Sequence, residues 1–151
     1  MSNLKPHLDA LQGKITDLEK VNTAISQSSV GWQIEHSLLT INGILKTVAA
    51  SDPKQYKYSF KPIKLLVFTT KKIPRGRAKS PDVVVPKGPI TKEGLQAHLD
   101  KTYAHLGNIP KISHDQYFEH PIFGHLKLKD TLVFLEIHTR HHLQIIEDII
   151  K

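Results

Sequence analysis

The chain has no cysteine among its 151 residues, and only one methionine and one tryptophan. Without cysteine it forms no disulfide, offers no thiolate to a metal and carries no cysteine nucleophile, so any thiol chemistry needs an external thiol. It also lacks a run of about 18 apolar residues, the length a helix needs to cross a bilayer. Its start, Met1-Ser2-Asn3-Leu4-Lys5-Pro6, has neither the basic stretch nor the apolar stretch of a secretory signal. These absences point to a cytoplasmic protein with no membrane partner. Acid is scarce where base is dense: nine of the 21 Lys and Arg lie between Lys61 and Lys92, where Asp82 is the only carboxylate. Any anion-binding surface is expected there.

The hydrophobic share of 39% suffices for one ordinary core, and residues 1–151 read as a single domain. Leu4, Leu8, Leu11, Ile15, Leu18, Val21 and Ile25 recur every three or four positions, which predicts a first helix from Leu4 to Ile25. Ser26 to Ser29 offers a turn and a serine N-cap, and so short a connection makes the first two helices antiparallel neighbours. The second helix is expected from about Trp32 to Ala50, ending before Pro53, with Ile34, Leu38, Ile41, Leu45 and Val48 as its main stripe. Six prolines punctuate Asp52 to Ile90, which reads as a crossover with a short helix or β-rich segment after Pro62. Thr91 is an N-cap for a third helix reaching Leu106, with Gly107 as its stop. A loop through Pro110, Pro121 and Gly124 then leads to a fourth helix, Leu128 to Ile150. The expected fold is all-α, a four-helix bundle with a long crossover between helices two and three.

Ten histidines set this chain apart from an ordinary basic domain. Around the last helix, at about 100° per residue, Leu132, Leu135, Ile146, Ile149 and Ile150 share one face. His142 falls inside that face, His138 lies about 40° from it near the edge, and His141 turns to the polar side. Residues four apart stand about 6 Å apart along the axis on one face, so His138 and His142 can reach one ion. The alternative is two core histidines satisfied by hydrogen bonds, although unpartnered buried imidazoles are costly. A third ligand belongs on a facing helix, and His36 is the candidate, sharing a face with Trp32, Leu39 and Gly43. Glycine at position 43 costs about 1 kcal/mol in a helix interior; it marks either a close approach or mere tolerance. His98 and His105 on the third helix, with His7, His114 and His125, read as structural or exposed.

Three imidazoles without a charged ligand leave a divalent ion with its full charge and open positions for water or substrate. Zinc, nickel and iron all suit imidazole. With Trp32-Gln33-Ile34-Glu35-His36, His120-Pro121-Ile122-Phe123-Gly124-His125-Leu126 and His138-Thr139-Arg140-His141-His142, the chain resembles the DinB/YfiT-like superfamily, and most nearly an uncharacterised subfamily of it. The resemblance implies a four-helix bundle with the long crossover and a metal triad of His36, His138 and His142. It also implies a metal-dependent hydrolase or a transferase using a low-molecular-weight thiol, acting on a small-molecule substrate. Lys127 stands where that pattern has a Ser/Thr cap, and Thr131 where it has an aromatic.

His120, in a loop near a bundle end, reads as a catalytic residue, either hydrogen-bond donor or general base, or else as a loop-shaping residue. Two other functions compete. The pI of 9.6 and the run Lys71-Lys72-Ile73-Pro74-Arg75-Gly76-Arg77 suit a nucleic-acid-binding protein, though no nucleic-acid motif accompanies them. A non-catalytic structural bundle is the other, with a homodimer contact through Leu65, Val67 and Phe68.

Overall fold

The computed structural model describes residues 3–76 and 79–151. The protein is mainly helical, with one small antiparallel hairpin: α1 (Leu4–Gln12), α2 (Val30–Ala50), α3 (Pro62–Thr70), α4 (Lys92–Asn108), β1 (Tyr117–His120), β2 (Gly124–Lys127) and α5 (Leu128–Ile150). α2 packs against α4 and α5, and α1 against the same two helices. Leu4, Leu8 and Leu11 of α1, Ile34, Leu38 and Ile41 of α2, Leu95 and Leu99 of α4, and Leu135 and Ile146 of α5 are sealed in the shared core. Among the described residues no helix is long and apolar enough to cross a membrane.

Local chemistry sets most boundaries. Ser29 Oγ accepts the Trp32 N–H at 3.2 Å and caps α2, and Thr91 Oγ1 accepts the Gly94 N–H at 3.0 Å and caps α4. Pro62 opens α3, and Lys71 ends it in the left-handed region at φ 57°. α5 starts at Lys127 with no side-chain cap; Thr131, wholly buried, donates its hydroxyl to the Leu126 carbonyl at 2.9 Å instead.

Four expectations are corrected. The first helix stops at Gln12 rather than Ile25. Beyond Gly13 only a 3₁₀ turn, Ile15–Asp17, continues inward, and Val21 and Ile25 lie exposed in the connection. That longer connection takes α1 onto α4 and α5 instead of α2, so the first two helices are not the paired neighbours a tight turn would make. Its backbone docks on the start of α2, where the Gly31 N–H donates to the Leu18 carbonyl at 2.9 Å. A Cβ at Gly31 would stand 3.0 Å from that oxygen, so any larger residue would push the two backbones apart by a few tenths of an ångström. Next, Gly107 does not stop α4, which runs to Asn108 before a 3₁₀ turn containing Pro110. Third, the fold is mainly helical, in line with the bundle expected, but the loop expected before the last helix is a hairpin, in register Tyr117↔Lys127 to His120↔Gly124, with Gly124 at φ 74°. Fourth, Val67 is buried and Phe68 half-buried, so of the suggested dimer contact only Leu65 is exposed.

The crossover between α2 and α4 is not structureless. It carries α3 and a 3₁₀ turn at Asp82–Val84 that lies against α2. Gly43 faces open space, so this glycine is tolerated rather than required.

Candidate metal centre

α2 and α5 cross where both are hydrophobic, and that crossing brings three imidazoles together. His36 is 2% exposed and His142 8%, and His138 is half-buried beside them. One ring nitrogen from each lies within 4.8 Å of the other two. Ring centroids stand 5.1 Å apart for His36 and His138, and 4.6 Å for each with His142. Ser37 and Thr40, buried beside His36, return their hydroxyls to the carbonyls of Gln33 and His36, both at 2.8 Å. They therefore make no demand on the site.

Hydrogen bonds assign the tautomers. His36 Nδ1 donates to the Val84 carbonyl at 2.8 Å, since a carbonyl can only accept. With the Gln33 amide placed so that its Nε2 donates to Ser26 Oγ at 3.2 Å, its Oε1 accepts from His142 Nδ1 at 2.6 Å. Both rings are thus left with Nε2 as a lone pair. His36 Nε2 and His138 Nε2 stand 3.2 Å apart. Imidazole nitrogens about 2.0–2.1 Å from a tetrahedral ion sit about 3.3 Å from each other. The separation is what a shared ion requires. Within the protein alone, His138 Nε2 must donate to His36, and His138 Nδ1 remains buried with no partner among the described residues. Such a polar orphan is uncommon in a packed core.

Burial holds the pKa of all three imidazoles down, opposed at His36 by the Val84 bond and reinforced at His138 and His142 by neighbouring histidines. They are neutral at pH 7, which is the ligating form. The donor set, its tautomers and its orienting partners fit a divalent ion. Trp32 stacks on the His36 ring at 4.9 Å, and Phe134 stands 5.6 Å from His138.

His120 closes β1, with Nδ1 accepting the N–H groups of Ile122 at 3.0 Å and Phe123 at 3.1 Å. Its proton therefore sits on Nε2, and burial pushes its pKa down to about 4. Its ring stacks on Phe123 and meets Phe134 edge-on, one aromatic away from His138. His141 is half-buried on the polar side, as its helical angle predicts. The remaining histidines make local bonds: His98 Nδ1 with the Glu35 carboxylate, His105 Nδ1 with Asn42 Oδ1, His7 Nδ1 with the Asn3 carbonyl, and His125 Nδ1 accepting from the Lys57 N–H. His114 is exposed beside Asp115.

Two partners escaped the sequence reading, Gln33 and the Val84 carbonyl. Gln33 left a trace: a glutamine one position before Ile34, in a stretch that must be buried, needs a polar partner. Nothing in the sequence ties Val84 to His36 across 48 positions. The basic crossover is partly neutralised, with Lys64 on Asp130 at 2.6 Å and Arg75 on Asp148 at 2.8 Å. Arg77, the end of the basic run, lies outside the described residues. Comparison of the chain with protein-family models, curated proteins and solved structures finds no match.

Proposed function

We propose that this protein is a DinB/YfiT-like four-helix-bundle metalloprotein that holds a divalent ion, zinc, nickel or iron, on His36, His138 and His142. We further propose that it serves as a metal-dependent hydrolase or as a transferase using an external low-molecular-weight thiol. The observation that carries the reading is the convergence of three neutral imidazoles, two buried and one half-buried, with two of the rings oriented from behind by Gln33 and the Val84 carbonyl. An ion bound by three neutral ligands would supply Lewis acidity to a water or a thiol. His36, His138 and His142 would hold it, Gln33 and Val84 fix two of the rings, and Trp32 and Phe134 pack beside His36 and His138. His120 serves as a hydrogen-bond donor through Nε2, because its Nδ1 is occupied by the hairpin turn.

The test is metal content. Untagged protein purified without chelator is assayed by plasma mass spectrometry, with His36→Ala, His138→Ala, His142→Ala and His141→Ala alongside. Near-stoichiometric metal in the wild type and in His141→Ala, lost from the other three, is the expected result. No metal, even after zinc or nickel is added, would return these histidines to the core and remove the enzyme reading with them.

A further inference from the structure

The segment that leads into α3, and α3 itself, carry a second feature. Tyr58 is 76% exposed, Phe60 65%, Leu65 60% and Leu66 57%. Between the two aromatics Ser59 turns inward, its Oγ 2.5 Å from where a Cβ on Gly124 would stand. On α3 the inward side is Val67 with Phe68, so Leu65 and Leu66 give this short helix a second apolar face. Exposed apolar side chains in such density mark an interaction site.

We propose that this face docks an extended, acidic segment of another protein, independently of any metal. Charge identifies the partner's sign: from Pro53 to Pro81 there are nine Lys and Arg and no carboxylate, and of the nine Lys64 and Arg75 are paired with Asp130 and Asp148. Lys57 and Lys61 flank the aromatic pair in sequence, the exposed Lys61 passing Gly124 beside Ser59. A second copy using the same face would set these like charges against each other, which is how lysines protect open strand edges from self-pairing. Carboxylates on a different chain would be attracted instead.

The backbone identifies the partner's form. Tyr58, Ser59 and Phe60 make no backbone hydrogen bond among the described residues. Lipid hydrocarbon cannot satisfy such groups, whereas an added strand satisfies them and places alternate side chains against Tyr58 and Phe60. Nucleic acid would use the lysines but leave Leu65 and Leu66 without partners.

The probe is a labelled peptide of alternating glutamate and valine, compared by fluorescence anisotropy with its lysine–valine counterpart. The wild type binds the glutamate peptide about tenfold or more tightly than the lysine peptide. Tyr58→Ser/Phe60→Ser weakens it about tenfold, and Lys57→Glu/Lys61→Glu reverses the preference. These positions are exposed, and unchanged circular dichroism confirms that the variants fold. No binding, equal binding of both peptides, or full binding by Tyr58→Ser/Phe60→Ser would overturn the proposal. So would tighter capture by phosphatidylserine vesicles, or a dimer that Tyr58→Ser/Phe60→Ser dissolves, since lipid or a second copy would then own the face.

Discussion

Replacing His120 with phenylalanine should change the protein's stability in opposite directions at neutral and acidic pH. The neutral His120 ring carries its one proton on Nε2, so a second proton must enter at Nδ1, where the Ile122 and Phe123 N–H groups already point. Burial holds its folded pKa at about 4, against 6.5 for the free side chain. The unfolded chain therefore binds more protons below about pH 6.5, and the stability that neutral His120 contributes is complete above that pH and lost as pH falls toward about 4. By about pH 5 the loss from this group amounts to about 2 kcal/mol. His120→Phe keeps the stack on Phe123 and the edge contact with Phe134, but removes both the acceptor and the titration. Losing the acceptor costs about 1 kcal/mol near neutrality. Urea unfolding in chelator should show the variant about 1 kcal/mol below wild type near pH 7 and about 1 kcal/mol above it near pH 5, crossing near pH 6. A difference that stays constant from neutral to acidic pH would refute the assignment of His120 as the neutral acceptor of the hairpin.

Three further outcomes follow from the same geometry. Gln33→Leu, which frees His142 Nδ1 from its partner at 2.6 Å, should weaken zinc affinity about 10–100-fold in competition with a chromophoric chelator; unchanged affinity would show that Gln33 does not orient the ligand. Zinc at about 100 times its Kd should stabilise the wild type by about 2.7 kcal/mol in thermal unfolding and leave His138→Ala unmoved; an equal shift in both would place the ion elsewhere. Gly124→Ala should destabilise by about 1–3 kcal/mol, because φ is 74° and the new Cβ would stand 2.5 Å from Ser59 Oγ, and chemical denaturation that leaves the midpoint in place would contradict it.

The helices that hold the ligands were legible because their signals are local. Ser29 and Thr91 caps lie within three residues of the amides they accept, and the α5 face that contains His142 is a matter of angle alone. The first helix was overextended because Leu18, Val21 and Ile25 keep the helical spacing after Gly13, although Leu18 packs from an irregular connection and Val21 and Ile25 are left exposed. Periodicity registers apolar residues, not whether a surface is there to receive them. The hairpin went unseen because its strands are four residues each, and its turn is held by His120, whose ring accepts from two amides no strand pattern would indicate.

By itself the sequence determined that no thiolate or disulfide chemistry belongs to this chain, that His138 and His142 share one helical face, and that His36 sits on a helix apolar enough to be buried. Those conclusions rest on composition and on spacings of four residues. Only the tertiary structure decided that His36 meets His138 at 3.2 Å across 102 positions, and that Gln33 and Val84 stand behind two of the three rings. It also left Tyr58 and Phe60 uncovered. The distance between residues far apart in the chain follows from how helices pack and where a crossover returns, and that packing is set by the whole buried surface rather than by any short stretch of sequence.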